Sequence, residues 1–219
     1  MKTAALVGYK NHALKLKKIF TKFLNLKYIY HPNKKLNPIF TNNISNLLKV
    51  DCVFIACPSD VHFKYINYLK KNNYKGFIFC EKLPVTNLND LKRLQKIIDN
   101  KIYFNFNLRH SILNKILKSK VYGSLRNVII IDNKPYFKKF NSKNNWRFKD
   151  KNILITNIFP HYLHMLNENI PNLENNFKII KSKGKKVYED ISIIYSSQDC
   201  VCNLHMSYLR GLEKSFIFH

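Results

Sequence analysis

Residues 51–84, DCVFIACPSDVHFKYINYLKKNNYKGFIFCEKLP, place a proline, a histidine, a glutamate and a lysine just beyond two apolar runs. Pro58 and His62 follow the first run, and Glu81 and Lys82 follow the second. An imidazole exchanges a proton near neutral pH, a carboxylate accepts hydrogen bonds, and an ammonium stabilises charge on an oxygen. The helical stretch between the runs makes a β-α-β unit. Such a unit delivers these side chains to the carboxyl edge of a parallel sheet, where open α/β folds bind ligands. Function is expected at that edge.

The preceding elements extend the same edge. Residues 4–7 read as a strand, 8–13 as a turn, 14–23 as a helix with Leu16, Ile19, Phe20 and Phe23 on one face, and 27–30 as a second strand closed by His31 and Pro32. A strand, a tight turn, a helix and a strand open a dinucleotide-binding half, in which the turn and the first helical amides face a pyrophosphate. Gly8, Tyr9, Lys10, Asn11, His12 and Ala13 stand where G-x-G-x-x-G/A is expected, so only the first glycine and the tolerated terminal alanine are present. Lys10 at the middle glycine position either obstructs the approach of phosphate to backbone or points outward and pairs with it. At the end of the second strand, His31, Lys34 and Lys35 replace the usual ribose-binding carboxylate, which favours a 2′-phosphate and hence NADP over NAD. A solvated lysine turn is the plainer alternative. A short helix at 44–48, strands at 52–56, 77–80 and 102–106, helices at 61–71 and 89–98, and a polar turn at 107–110 complete a doubly wound parallel sheet. The first domain is expected to span 1–118, with Cys57, Pro58, His62, Glu81 and Lys82 lining its cofactor edge.

Composition bounds the function. The formal charge is +25, from 38 Lys plus Arg against 13 Asp plus Glu, which would suit nucleic acid or an anionic membrane face. The excess is spread along the chain, is mostly Lys, and accompanies abundant Asn and Ile. It reads as compositional bias giving a basic surface that collects phosphorylated ligands, not as a specific nucleic-acid patch. No apolar stretch approaches a membrane span and residues 1–20 lack a signal-type apolar core, so a soluble cytoplasmic protein is expected. Cys52, Cys57 and Cys80 sit in or beside apolar strand candidates and read as buried thiols. Cys200 and Cys202 lack a second ligand pair, and no metal site is expected.

Three segments carry a resemblance: Ala56-Cys57-Pro58-Ser59-Asp60-Val61-His62, Cys80-Glu81-Lys82 and Asn107-Leu108-Arg109 are similar to the corresponding segments of the glucose-fructose oxidoreductase, inositol dehydrogenase and MocA-like family. The chain departs from the family by Leu83 at the position of its proline. The resemblance implies a Rossmann domain, then an α+β domain with a large open sheet, and oxidation or reduction of sugars and related polyols with NAD or NADP. In the second domain, residues 152–166, NILITNIFPHYLHML, resemble the family's substrate helix. On that pattern Asn157 replaces the first acid, His161 retains the histidine and His164 replaces the second acid. Asn157 and His161, four apart, are expected on one helical face, with Lys82 opposite them across a cleft.

That resemblance assigns roles. Oxidising a secondary alcohol removes a hydride to the nicotinamide and a proton from the hydroxyl. His161 is the expected proton acceptor, and Lys82 orients the hydroxyl and stabilises charge on its oxygen. Asn157 can hydrogen-bond but supplies no negative charge. Arg109 either binds a substrate anion or braces the domain junction. Trp146 and Arg147 form either a substrate-loop pair or a structural stack, and His62 either touches the nicotinamide or caps and packs locally.

From residue 177 onward the chain reads as strands at 177–181, 191–195, 201–208 and 214–218. The second domain, 119–219, is expected to be a shortened α+β unit with an open, mainly antiparallel sheet. Family members extend well beyond the corresponding point, so this domain is expected to be a compact version, a dimer-completed sheet or the remnant of a truncated gene. Its sheet would pair with a second copy, making a homo-oligomer. Two functions compete: an oxidoreductase using NADP or NAD on a sugar, aminosugar or nucleotide-linked sugar, and a noncatalytic dinucleotide- or sugar-binding protein derived from the same fold.

Overall fold

The computed structural model describes residues 1–33, 38–121, 123–133, 152–170, 172–173, 177–183, 189–208 and 213–218. Lys34, Lys35, Trp146 and Arg147, named above, lie outside the described residues. The fold is α/β, and it divides into compact units of Met1–Asn105 and Phe106–His219.

In the first unit, β1 (Thr3–Val7), β2 (Asn25–Tyr30), β3 (Phe40–Thr41), β4 (Cys52–Ile55), β5 (Phe77–Glu81) and β6 (Ile102–Asn105) form a parallel sheet of order β3-β2-β1-β4-β5-β6. Strands covered on both faces need apolar residues throughout, as Ala4, Ala5, Leu6 and Val7 illustrate; all four are buried. Helix α1 (Asn11–Phe20) covers one face. Its Phe20 stacks on Phe54 at 4.4 Å, and the row continues through Phe79 and Tyr103, which are sheet neighbours. This row holds α1 on the sheet. Helix α2 (His62–Lys71) inserts Phe63, Ile66 and Leu69 into a core with Val53, Ile55 and Ile78. Each fully buried side chain of this size contributes about 1.5–3 kcal/mol. Helix α3 (Leu88–Ile97) starts at Asn87, whose side-chain oxygen accepts from the Asp90 amide at 2.9 Å.

The expected helix at 14–23 is displaced. It begins at Asn11 because the turn needs only residues 8–10, and it ends at Phe20, leaving Ile19 and Phe23 59% and 71% exposed.

The second unit opens with the 3-10 turn Asn107–His110 and α4 (Ile112–Ser119), a helix absent from the sequence reading. Leu108, Leu113 and Leu117 pack on this unit's core, so the compact unit starts ahead of the expected boundary at 118/119. A mainly antiparallel sheet follows, of order β11-β7-β10-β9-β8, built from β7 (Asn127–Asn133), β8 (Phe177–Lys183), β9 (Asp190–Ser196), β10 (Val201–Ser207) and β11 (Glu213–Phe218). Only β7 and β10 pair in parallel among the described residues. Ile191, Ile193, Tyr195, Cys202, Leu204 and Met206 alternate onto one buried face.

The expected helix at 152–166 is two helices, α5 (Ile153–Asn157) and α6 (Phe159–Asn167), broken at Ile158. Pro160 has no N–H to continue the ladder and is tolerated only in a first turn, so a new helix starts there. Asn157 and His161 therefore lie on separate helices, and spacing along one continuous helical face no longer applies to them. Helix α6 docks through Tyr162, whose hydroxyl donates to the buried Asp132 carboxylate of β7.

Candidate functional site

In the first unit the chain leaves β1 toward β2 on one side, while β4 lies on the other. That reversal opens a crevice at the carboxyl ends of β1 and β4. Gly8 makes the turn there with φ +112°, and a Cβ on it would stand 2.8 Å from the Ala56 carbonyl oxygen beyond β4. Positive φ and this close approach both require glycine. Lys10, at φ −103° and ψ 178°, precedes the helix in an extended conformation open to any residue, and it is exposed. Its replacement of a glycine therefore costs no backbone strain. The first turn of α1 contains Asn11, His12 and the buried Ala13 and carries no acid of its own at the positive end of its dipole.

His12 reaches from α1 to Glu81 at the end of β5, Nε2 to Oε1 2.9 Å, and Asn105 at the end of β6 donates to the same oxygen at 2.7 Å. Burial pushes Glu81 up, but the hydrogen bonds from His12 and Asn105 outweigh it and hold the carboxyl below its ordinary value. The Glu81 hydrogen bond raises His12 against burial and the charges of Lys15 and Lys82. Beside them, burial pushes the Cys57 thiol up to about 12, which removes it as a nucleophile at neutral pH.

His62, 1% exposed, stands between two loops. Its Nδ1 lies 2.7 Å from the Leu83 carbonyl oxygen and its Nε2 2.8 Å from that of Cys57, and each contact is a hydrogen bond when that nitrogen carries a proton. Ser59 donates to the Lys82 carbonyl at 3.4 Å. The segment that contains Pro58 thus fastens the backbone on either side of the Lys82–Leu83 peptide, which is cis. Of the two roles considered for His62, local tethering is the one these contacts perform. At the end of β2, His31 Nδ1 accepts from the Asn33 amide at 3.2 Å, leaving Nε2 as the nitrogen that carries the N–H of the neutral ring.

In the second unit Arg109 and His164 meet at Glu168. Arg109 Nε lies 3.1 Å from Oε1, Lys118 Nζ 3.0 Å from Oε2, Asn114 donates at 3.0 Å, and His164 Nε2 stands 3.8 Å away. Burial pushes Glu168 up, while hydrogen bonds from Lys118 and Asn114 bring it below its ordinary value. Burial lowers His164, against the pull of Glu168 and with the help of Arg109, Lys118 and His110. Phe106 packs its ring 4.6 Å from His164 and 6.5 Å, edge-on, from His161. Asn157 donates to the Tyr208 hydroxyl at 3.3 Å.

The structure therefore gathers Gly8, Lys10, Asn11, His12, Ala13, Cys57, Pro58, His62, Glu81 and Lys82 at one sheet edge. Arg109, Asn157, His161 and His164 belong to the other unit. Sequence reading missed Asn105 and Glu168. Asn105 was signalled by its place directly after the apolar part of a strand at the same edge. Glu168 was signalled by scarcity, being one of only 13 acids among 38 bases.

No family model and no curated protein matches the sequence. Solved structures do match. A protein inferred to be an NADPH-dependent oxidoreductase from Desulfitobacterium hafniense aligns over 99% of this chain and 69% of its own, with a TM-score of 0.85 and 16% identity. UDP-N-acetylglucosamine 3-dehydrogenase GnnA from Acidithiobacillus ferrooxidans aligns over 99% and 71%, at 0.81 and 12%. The WlbA dehydrogenase from Chromobacterium violaceum, in complex with NADH and UDP-GlcNAcA, aligns over 99% and 71%, at 0.79 and 15%. Nearly the whole chain thus has the fold found in about seven-tenths of each of these dehydrogenases and oxidoreductases.

Proposed function

We propose that this chain is an oxidoreductase of the glucose-fructose oxidoreductase, inositol dehydrogenase and MocA-like type. It uses a nicotinamide dinucleotide, NADP in preference to NAD, on a sugar, aminosugar or nucleotide-linked sugar. One observation carries the reading: the Gly8 turn, the acid-free start of α1 and the tethered Lys82 loop converge on the carboxyl edge of a sheet at its switch point. The residues fit a dinucleotide, since Gly8 lets the turn close tightly against the Ala56 backbone and the first turn of α1, free of acids, presents its amides at the same edge. When bound, the nicotinamide supplies or accepts the hydride.

Lys82 orients the substrate hydroxyl and stabilises charge on its oxygen, while His161 takes its proton. Lys34 and Lys35 supply positive charge for a ribose 2′-phosphate, and His31 offers it an N–H donor through Nε2. GnnA is named for a UDP-linked aminosugar and WlbA holds another, and a net charge of +25 suits an anionic substrate of that class.

The test is NADPH oxidation and NADP reduction followed by absorbance against a panel of sugars and UDP-sugars, with calorimetry of NADP and NAD alongside. Turnover with tighter NADP binding supports the reading, and tighter NAD binding rejects the cofactor preference. Binding without turnover on any substrate supports the noncatalytic alternative, which Lys10 at a glycine position and Asn157 at an acid position favour.

A further inference from the structure

His12 and Glu81 belong to elements that flank β4: α1 follows β1 on one side, and Glu81 ends β5 on the other. Neighbouring strands lie about 4.8 Å apart, so the two residues approach across roughly 10 Å of sheet edge and close over the carboxyl end of β4. The contact is 2.9 Å, and Asn105 fixes Glu81 from β6. A dinucleotide laid along the switch-point crevice passes its adenosine half on the β1–β2 side and its nicotinamide half toward β4 and β5. The nicotinamide half then meets the His12–Glu81 contact.

We propose that His12 is a proton-controlled gate on the nicotinamide half of the crevice: a full dinucleotide parts His12 from Glu81, and entry is easier when the imidazole is neutral. The proposal rests on the dinucleotide reading above. Parting an imidazolium from a carboxylate costs more than parting a neutral ring, so affinity for the whole cofactor rises with pH. The adenosine half, bound short of β4, is indifferent. The charged groups facing His12 are Glu81 and Lys82 from β5 and its loop and Lys15 from its own helix, while His62 of α2 faces Glu81. Among these, the Glu81 hydrogen bond dominates and raises His12 above its ordinary value, so the gate is closed at mildly acidic pH.

The experiment is calorimetry of NADP and of adenosine 2′,5′-diphosphate from about pH 6 to about pH 9, on the wild type, His12→Ala and His12→Gln, with melting curves to confirm folding. Adenosine 2′,5′-diphosphate carries the same 2′-phosphate and so controls for its titration. NADP affinity of the wild type should rise about two- to fivefold with pH, the scale of a half-exposed ion pair. Measured relative to adenosine 2′,5′-diphosphate at each pH, both variants should bind NADP at low pH as the wild type does at high pH, with a flat ratio. Titration in buffers of different ionisation enthalpy should show more proton release on NADP binding to the wild type than to the variants, which keep only the exchange that the 2′-phosphate contributes. NADP affinity that falls with pH, or a profile unchanged in His12→Ala, overturns the gate and leaves the dinucleotide reading standing. If neither ligand binds any form at any pH, the dinucleotide reading fails and the gate fails with it.

Discussion

His62 contacts the carbonyl oxygen of Leu83 at 2.7 Å across 21 residues of chain, and this contact sets the loop on which Lys82 stands. His62→Leu leaves the carbonyls of Cys57 and Leu83 facing an apolar side chain. The cost should be about 1–3 kcal/mol, lowering the thermal midpoint by a few degrees. An unchanged midpoint would show that the two contacts contribute nothing to the fold.

Lys82→Met and His161→Asn should each lower the chemical rate roughly ten- to ten-thousand-fold while the melting curve stays close to wild type. Single-turnover measurements at saturating cofactor separate this from weakened binding. Near-normal rates in both variants of an active enzyme would remove these residues from the chemistry.

Glu168 sits where Arg109, Lys118 and Asn114 converge, and Glu168→Gln should destabilise the second unit by about 1–2 kcal/mol, discounted because Arg109 and Lys118 are half-exposed. The folded carboxyl is held below its ordinary 4.5. Its stabilisation is therefore full above that value and is lost as pH falls through the lowered one. Urea melts at a series of acidic pH values should show this loss in the wild type and a shallower one in Glu168→Gln.

The second sheet has one face buried under α6, while the other carries Ile129, Ile131 and Ile194, half-buried, with Val201 44% and Ile217 42% exposed. Pairing of this face with a second copy should give a dimer at physiological salt, which screens the repulsion between two strongly basic chains. Light scattering over a concentration series reads the mass directly, and the mass of a single chain at every concentration would rule the dimer out.

Much of the edge was legible beforehand because a parallel strand must be apolar throughout and ends where polarity returns. That rule located Pro58, Glu81 and Lys82 from residues 51–84 alone. It served less well where runs are short: the two residues of β3 carry no periodic signal, and β7, NVIIIDN, is an apolar quartet that suits strand or helix. The start of α1 was misplaced because the glycine pattern was taken to occupy six turn residues where three suffice. The break at Ile158 was visible in Pro160 and overridden by the pattern of the family helix.

By itself the sequence determined the β-α-β order, the need for glycine at position 8 and the side chains available at the sheet edge. These follow from local sterics and from the period of apolar residues. Only the tertiary structure decided which of those side chains meet. His12 pairs with Glu81, Asn105 with the same carboxylate, His62 with Cys57 and Leu83, and Glu168 with a ring of cations, because sheet order and helix docking set such distances and neither is encoded in spacing along the chain.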